Sequence, residues 1–228
     1  MKQLALGVRL RAEAVFASFW PGENGEIVAA LKARSSAPLW LWGTHGTGKT
    51  HLLQAVCAAA GDAAAYFPLN RSLALPPAAL AGYERTPVLC VDDVDAVAGD
   101  LAWERALFRL FNEAGDLGNR LIFAAAAPPR QSDWLLDDWR SRAAACVVYQ
   151  LRELEDSGRI QALQLRAAQR GLQLPLETSE YLLKRMPRDL HSLFEVLDQL
   201  DEASLVAQRR LTIPFIRDAL EKHAETKS

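Results

Sequence analysis

The stretch LWLWGTHGTGKTHLLQAV, residues 39–56, narrows the choice of fold more than any other part of the chain. Its first four residues form an apolar run that reads as a buried strand. That run passes directly into Gly43, Gly46, Gly48, Lys49 and Thr50, which match the pattern G-x-x-x-x-G-K-[ST] in full. A helical pattern follows at once. Glycines in such a loop let successive backbone N–H groups curl around an anion, and the helix start adds a favourable dipole. A strand before the loop and a helix after it make the pattern specific. In that setting Lys49 is placed to reach β- and γ-phosphates, and the Thr50 hydroxyl to ligate Mg²⁺.

Four further apolar runs read as strands: AAYFPL, VLCVDD, LIFAAA and CVVYQL. Helical patterns fall between them, notably LAWERALFRLFNEAG. Strands alternating with helices indicate parallel βαβ units, hence a three-layer αβα core with a parallel sheet. The strand signal stops at Asp156. DSGRIQALQLRAAQRG reads as a helix with Asp156 as cap and Gly171 as stop, and LETSEYLLKRM reads as a second. Leu190, Leu193, Phe194, Leu197 and Leu200 form one apolar stripe at helical spacing. TIPFIRDALEKHA reads as a last helix with Pro214 in its first turn. The expected organisation is a flexible segment over residues 1–12, an α/β domain over 13–151 and a small all-helical domain over 152–228.

VLCVDD adds a second chemical element, an apolar strand ending in Asp92 and Asp93. Metal-assisted phosphoryl transfer needs carboxylates at a strand end opposite the phosphate loop. On this reading Asp92 holds the magnesium through water and Asp93 polarises the attacking water.

Composition excludes several partners. A formal net charge of −2 supplies no broad pull toward nucleic acid or an acidic membrane surface. No uncharged apolar run approaches the roughly 18 residues that cross a bilayer. Arginines interrupt the apolar start, so it does not read as a secretory signal. Cys57, Cys90 and Cys146 are too far apart for a zinc pattern, and Cys90 and Cys146 lie in apolar runs, as buried thiols of a reducing compartment do. The expectation is a cytoplasmic protein with no membrane association.

The segments FASFWPGENGEIVAAL, GTHGTGKTHLLQAV, VDDVDAVAGD, PPRQ and WRSR resemble, in order, the boxes of the bacterial replication initiator family DnaA. QALQLRAAQRGLQLP, LLKRM, SLF and LDQLDEASLVAQRRLTIPFIRDAL resemble more closely its Hda subfamily of regulatory inactivators. The resemblance covers nearly the whole chain. It implies the AAA+ fold, with sheet order 5-1-4-3-2 and a helical lid, and ADP or ATP with Mg²⁺ as cofactors. It places Phe16, Phe19, Gly22 and Asn24 in the segment lining the adenine pocket, although Phe16 and Phe19 serve equally well as core packing. Arg142 falls on the arginine finger that reaches a neighbouring subunit's γ-phosphate, with Arg140 as the alternative. Arg188 falls on the lid arginine that contacts nucleotide in cis.

Two features modify that picture. Where the family offers an acidic residue to sense the γ-phosphate, this chain has Ala126, which can neither donate nor accept a hydrogen bond from its side chain. Weak or absent intrinsic ATPase activity is therefore expected. At the other end, Gln3, Leu4 and Leu6 resemble the short segment by which replication proteins dock on the sliding clamp. With no recognition helix after IPFIRD, sequence-specific DNA binding is not expected. These features favour a clamp-bound regulator that promotes ATP hydrolysis on DnaA. A free-standing P-loop ATPase or helicase loader is the alternative, a small-molecule kinase a weaker one, and self-assembly into a homo-oligomer stays open.

Overall fold

The computed structural model describes residues 13–33, 35–187, 189–207 and 212–217. Gln3, Leu4, Leu6 and Arg188 lie outside them. The chain divides into two compact units, residues 1–153 and 154–228.

The first unit contains, in chain order, α1 (Gly25–Lys32), β1 (Leu39–Trp42), α2 (Lys49–Ala60), β2 (Ala64–Pro68), the single-turn α3 (Leu69–Ser72), β3 (Val88–Asp92), α4 (Leu101–Asp116), β4 (Arg120–Ala125), α5 (Asp137–Ala144) and β5 (Val147–Gln150). All five strand runs read from the sequence are strands. They pair in the order β2-β3-β4-β1-β5, and every pairing is parallel. This is the implied order 5-1-4-3-2 read from the other edge.

Apart from Arg120 at the start of β4 and Asp92 at the end of β3, the central strands are apolar because both faces are covered, as in parallel sheets. Alternation divides their side chains between two cores. Trp40, Leu89, Val91, Leu121 and Phe123 point to one side, where Trp103, Leu107 and Leu110 of α4 and Trp139 of α5 meet them. Leu39, Leu41, Cys90, Ile122 and Ala124 point to the other, against Ile27 and Leu31 of α1 and Leu52, Leu53 and Val56 of α2. The three layers follow directly. All three cysteines are buried, Cys146 included.

The side bearing α5 is rich in aromatic edges. Trp139 meets Trp134 at 5.8 Å and Phe123 at 5.6 Å between ring centroids, both edge-on, and none of the Trp139 side chain is exposed. Edge-on pairs contribute about 0.5–1.5 kcal/mol each beyond the area they bury. Trp139 therefore anchors the short helix that carries Arg140 and Arg142. The start of α4 is capped by Asp100, whose carboxylate accepts from the backbone N–H groups of Ala102 and Trp103 at 2.9 and 3.2 Å.

Among the described residues the regular structure of the second unit is helical: α6 (Asp156–Gln169), α7 (Leu176–Arg185), α8 (Leu190–Ala207) and a turn of helix over residues 213–217. Leu193, Leu197 and Leu200 of the predicted stripe are buried with Leu163, Leu182 and Ile216, while Leu190 and Phe194 pack at the margin. Arg166 on α6 and Arg170 just after it form ion pairs with Asp198 and Asp201 on α8 at 2.9–3.4 Å. One detail differs from the sequence reading. Asp156 is the first helical residue rather than the cap; Glu155 takes the cap position, and Asp156 instead pairs with Arg159 one turn on at 2.8 Å. An acid suits either place, because both lie at the positive end of the helix dipole. Gly171 ends α6 with φ of 74°, as a glycine stop does. Among the described residues no helix is long and apolar enough to cross a membrane.

Candidate functional site

The loop between β1 and α2 needs its glycines for different reasons. Gly46 and Gly48 have φ of 82° and 99°, in the left-handed region that side-chain-bearing residues rarely adopt. At Gly43 the reason is space, since a Cβ there would lie 2.5 Å from the Leu151 carbonyl oxygen. Gly48 is confined as well, because its Cβ would come within 2.8 Å of the Phe19 ring. The loop thus turns tightly, and α2 begins at Lys49 directly after it, so the N–H groups of the first helical turn, which lack helical partners, stand at the end of the loop.

Lys49 sits within this turn, donating to the carbonyl oxygens of Gly43 and Thr44 at 2.6 and 2.9 Å. Burial lowers its pKa, while the nearby carboxylates of Asp92, Asp93 and Asp95 act in the opposite direction. Next to it, the Thr50 hydroxyl donates to Asp92 Oδ2 at 2.7 Å. The two groups assigned to magnesium from separate parts of the sequence are therefore in direct contact. Asp92 is fully buried at the end of β3, and its other oxygen accepts the Asp93 N–H at 3.1 Å. Asp93 takes the left-handed conformation, with φ of 53°. Burial, reinforced by Asp92 and Asp95, pushes its carboxyl up to about 6. Lys49 and Arg71 act on Asp93 in the opposite direction, and the direct Thr50–Asp92 contact is the part of the site suited to a cation shared with a polyphosphate.

Two groups at this site escaped the sequence reading. The Tyr66 phenol on β2 donates to the same Asp92 oxygen as Thr50, also at 2.7 Å, and burial beside Asp92 raises its pKa. Only strand pairing reveals this contact: Tyr66 aligns with Cys90, and Pro68 with Asp92. His51, directly after the motif, lies 5.7 Å from the Phe19 ring and 3.1 Å from both Ser18 Oγ and the Val15 carbonyl oxygen. It ties the segment before α1 to the helix that leaves the loop.

The segment expected to line a base is thus close to the loop, but its members differ in their contacts. Phe19 packs on Gly48, whereas Phe16 lies under the Lys32 ammonium at 5.2 Å and against the α1–α2 core. Asn24 is buried, and both ends of its amide are engaged: Nδ2 donates to the Arg152 carbonyl at 3.0 Å and Oδ1 accepts the Arg152 N–H at 2.8 Å. It is a strut between the residues before α1 and the chain leaving β5. Gly22, with φ of 52°, makes the turn that leads to it.

Ala126 follows the last residue of β4 and is exposed. Its neighbour Ala125 pairs in register with Trp42 and accepts the Gly43 N–H at 3.4 Å, so β4 ends beside the start of the loop. A methyl group there offers no hydrogen bond.

On α5 the two arginines differ. Arg140 is held locally, by Asp137 at 2.6 Å and by the Trp134 carbonyl oxygen. Arg142 is exposed, forms no ion pair among the described residues, and lies with its guanidinium 6.0 Å from the Phe108 ring centroid.

Comparison with known proteins adds to this geometry. Residues 156–220 match the family model described as Hda, lid domain. Residues 39–115, from β1 through most of α4, match a model described as RNA helicase, over the part that holds the phosphate loop and the acidic strand end. The structure is similar to that of domain III from the Thermotoga maritima replication initiation protein DnaA, with a TM-score of 0.78 at 21% identity, covering 94% of this chain and 98% of that one. AMPPCP-bound DnaA from Aquifex aeolicus gives 0.68 at 24% identity, covering 83% of this chain and 65% of that one. The Thermotoga maritima RuvB Holliday junction branch migration motor gives 0.61 at 14% identity, covering 81% of this chain and 61% of that one.

Proposed function

We infer that this chain, an AAA+ protein of the Hda and DnaA type, binds adenine nucleotide in its own loop and regulates replication initiation by acting on DnaA. The observation that carries this reading is the contrast on α5. Arg140 is engaged at the helix start, while Arg142 is exposed and free of ion pairs among the described residues, its guanidinium beside the Phe108 ring on a helix anchored by Trp139. A guanidinium presented in this way suits transfer to another subunit's nucleotide. There it would stabilise charge developing on the transferring phosphoryl group, and its planar fork does so better than an ammonium.

The chain's own nucleotide, ADP or ATP, would sit on Gly43, Gly46, Gly48 and Lys49, beside the segment holding Phe16 and Asn24; the family resemblance adds Arg188 as a nucleotide contact. Thr50 and Asp92 fit magnesium, whose charge would neutralise the phosphates. Among the described residues no cluster of three or more His, Cys, Asp or Glu side chains could cage a bare ion. Magnesium would thus be shared with phosphate oxygens and water, as its reluctance to dehydrate favours. Gln3, Leu4 and Leu6 would dock on the sliding clamp and concentrate the protein near its target. With Ala126 where the family senses the γ-phosphate, the bound nucleotide would set the protein's shape or assembly state rather than supply energy.

The test is ATP hydrolysis by DnaA in the presence of this protein, the clamp and DNA, each omitted in turn. Arg142→Ala should retain fold, nucleotide and clamp contact yet lose the stimulation, which for a finger in trans is worth about 10³–10⁵ in rate. Arg140→Ala should be milder. A folded, clamp-bound Arg142→Ala protein that converts DnaA-ATP at the wild-type rate would sink the proposal. The alternative, an ATPase working for its own sake, draws support from the Asp92–Asp93 pair. Steady turnover by the isolated protein on the order of 1 s⁻¹ or more would favour it.

A further inference from the structure

We propose that α4 mounts Arg142 at two points, with the Glu104 carboxylate holding the start of α5 and the Phe108 ring supporting the guanidinium. The proposal rests on the reading that Arg142 acts on a partner's nucleotide. It names the residues that hold the arginine in place for that task.

Glu104 is fully buried, yet it forms no ion pair among the described residues. Its carboxylate accepts from three backbone N–H groups. Oε1 accepts from Gly99 at 2.9 Å and Leu135 at 3.1 Å, and Oε2 accepts from Leu136 at 2.7 Å. Leu136 is the N-cap residue of α5. A carboxylate withdrawn from water without a cation carries a large desolvation cost, and hydrogen bonds to the charged form must offset it. Two of those bonds, from Leu135 and Leu136, go to the residues that set where α5 begins, while the third ties the carboxylate to Gly99 just before α4 itself. α5 has no side-chain cap of its own, so Glu104 supplies from a neighbouring helix what a local cap would otherwise supply.

Phe108 lies one turn beyond Glu104 on the same face of α4, because residues four apart align along a helix. It is half-buried, and its ring centroid is 6.0 Å from the Arg142 guanidinium. The ring attracts the cation and narrows the range of positions the long side chain can sample. Between the two contacts, Trp139 fills the core. The start of α5, its buried face and its functional arginine are therefore all referenced to one long helix. A guanidinium held in place beforehand needs little reorganisation when it meets developing charge.

Both are positioning residues, and the assay must separate positioning from mere stability. Stimulation of DnaA ATP hydrolysis is measured against concentration of this protein, with clamp and DNA present, for Phe108→Leu, Phe108→Tyr, Glu104→Gln and Arg142→Ala. Thermal unfolding and ADP affinity are followed in parallel. Phe108→Leu should lower the maximal stimulated rate about two- to fivefold, the effect of losing an exposed cation–π contact. The concentration giving half-maximal stimulation should stay unchanged, and Phe108→Tyr should restore the rate. Glu104→Gln, where folded, should cost up to about 100-fold, as small misplacements of catalytic groups do. In the Arg142→Ala background Phe108→Leu should have no further effect. Should Glu104→Gln not fold, the Phe108 pair decides. If Arg142→Ala abolishes stimulation while Phe108→Leu keeps the full maximal rate, the mount is wrong and the finger stands. Undiminished stimulation by Arg142→Ala overturns both.

Discussion

The Thr50 hydroxyl donates to the Asp92 carboxylate at 2.7 Å, joining the first turn of α2 to the end of β3 across 42 positions of sequence. Tyr66 meets the same oxygen from β2. A buried carboxylate held by two hydroxyls and a backbone N–H is fixed in direction. Tyr66→Phe removes one of these hydrogen bonds and should lower the unfolding free energy by about 1–3 kcal/mol. Urea denaturation measures this, and a wild-type value would mean that the phenol contributes nothing to holding Asp92. Thr50→Val should cost a similar amount and should also remove the Mg²⁺ dependence of nucleotide binding.

Lys49 neutralises the loop. Lys49→Ala should weaken ADP binding by at least about an order of magnitude, because charge-assisted hydrogen bonds to phosphate are lost. The fold should survive, since the hydrogen bonds of the lysine go to its own loop carbonyls. Calorimetry decides this, and unchanged affinity would show that the cradle binds no phosphate.

Asp93 makes stability fall with rising pH. Its carboxyl is raised to about 6 in the folded protein, against about 4 for an unfolded carboxylate. The folded state thus holds the extra proton between those values. The stability linked to it is complete below about pH 4 and is lost as pH climbs through about 6. Asp93→Asn removes this titration, and asparagine tolerates the left-handed backbone. The variant should melt higher than wild type at pH 7–8, with the gain disappearing toward pH 4. A gain that is constant with pH would assign the effect to something other than ionisation.

Gln3 and Leu4 should matter for clamp binding alone. Leucines entering an apolar pocket contribute roughly 1.5–3 kcal/mol each when fully buried. Replacing Gln3 and Leu4 with alanine should abolish retention on immobilised clamp and leave ADP affinity intact. A double variant that still holds the clamp would return this segment to an ordinary tail.

The sequence alone determined whatever local chemistry or periodicity can specify. The loop was legible because its glycines, lysine and threonine are contiguous, and each is required by a local constraint on φ, space or charge. All five strands were legible because buried parallel strands have near-continuous apolar runs, α6 because an acid and a glycine bracket it, and α8 because its apolar residues repeat at helical spacing. The order of the strands came from resemblance, since periodicity says nothing about which strand lies beside which. The tertiary structure alone decided the contacts that depend on that order and on register. Tyr66 reaches Asp92 only because β2 pairs with β3 with Pro68 opposite Asp92. Asn24 proved to be a strut to Arg152, a contact across 128 positions that no local pattern encodes. Arg140 and Arg142 look interchangeable in WRSR. They part company in the structure, where Arg140 meets the Trp134 carbonyl and Asp137 while Arg142 lies over Phe108. A side chain's partners are set by which surfaces pack together, and that is a property of the assembled layers rather than of any one segment.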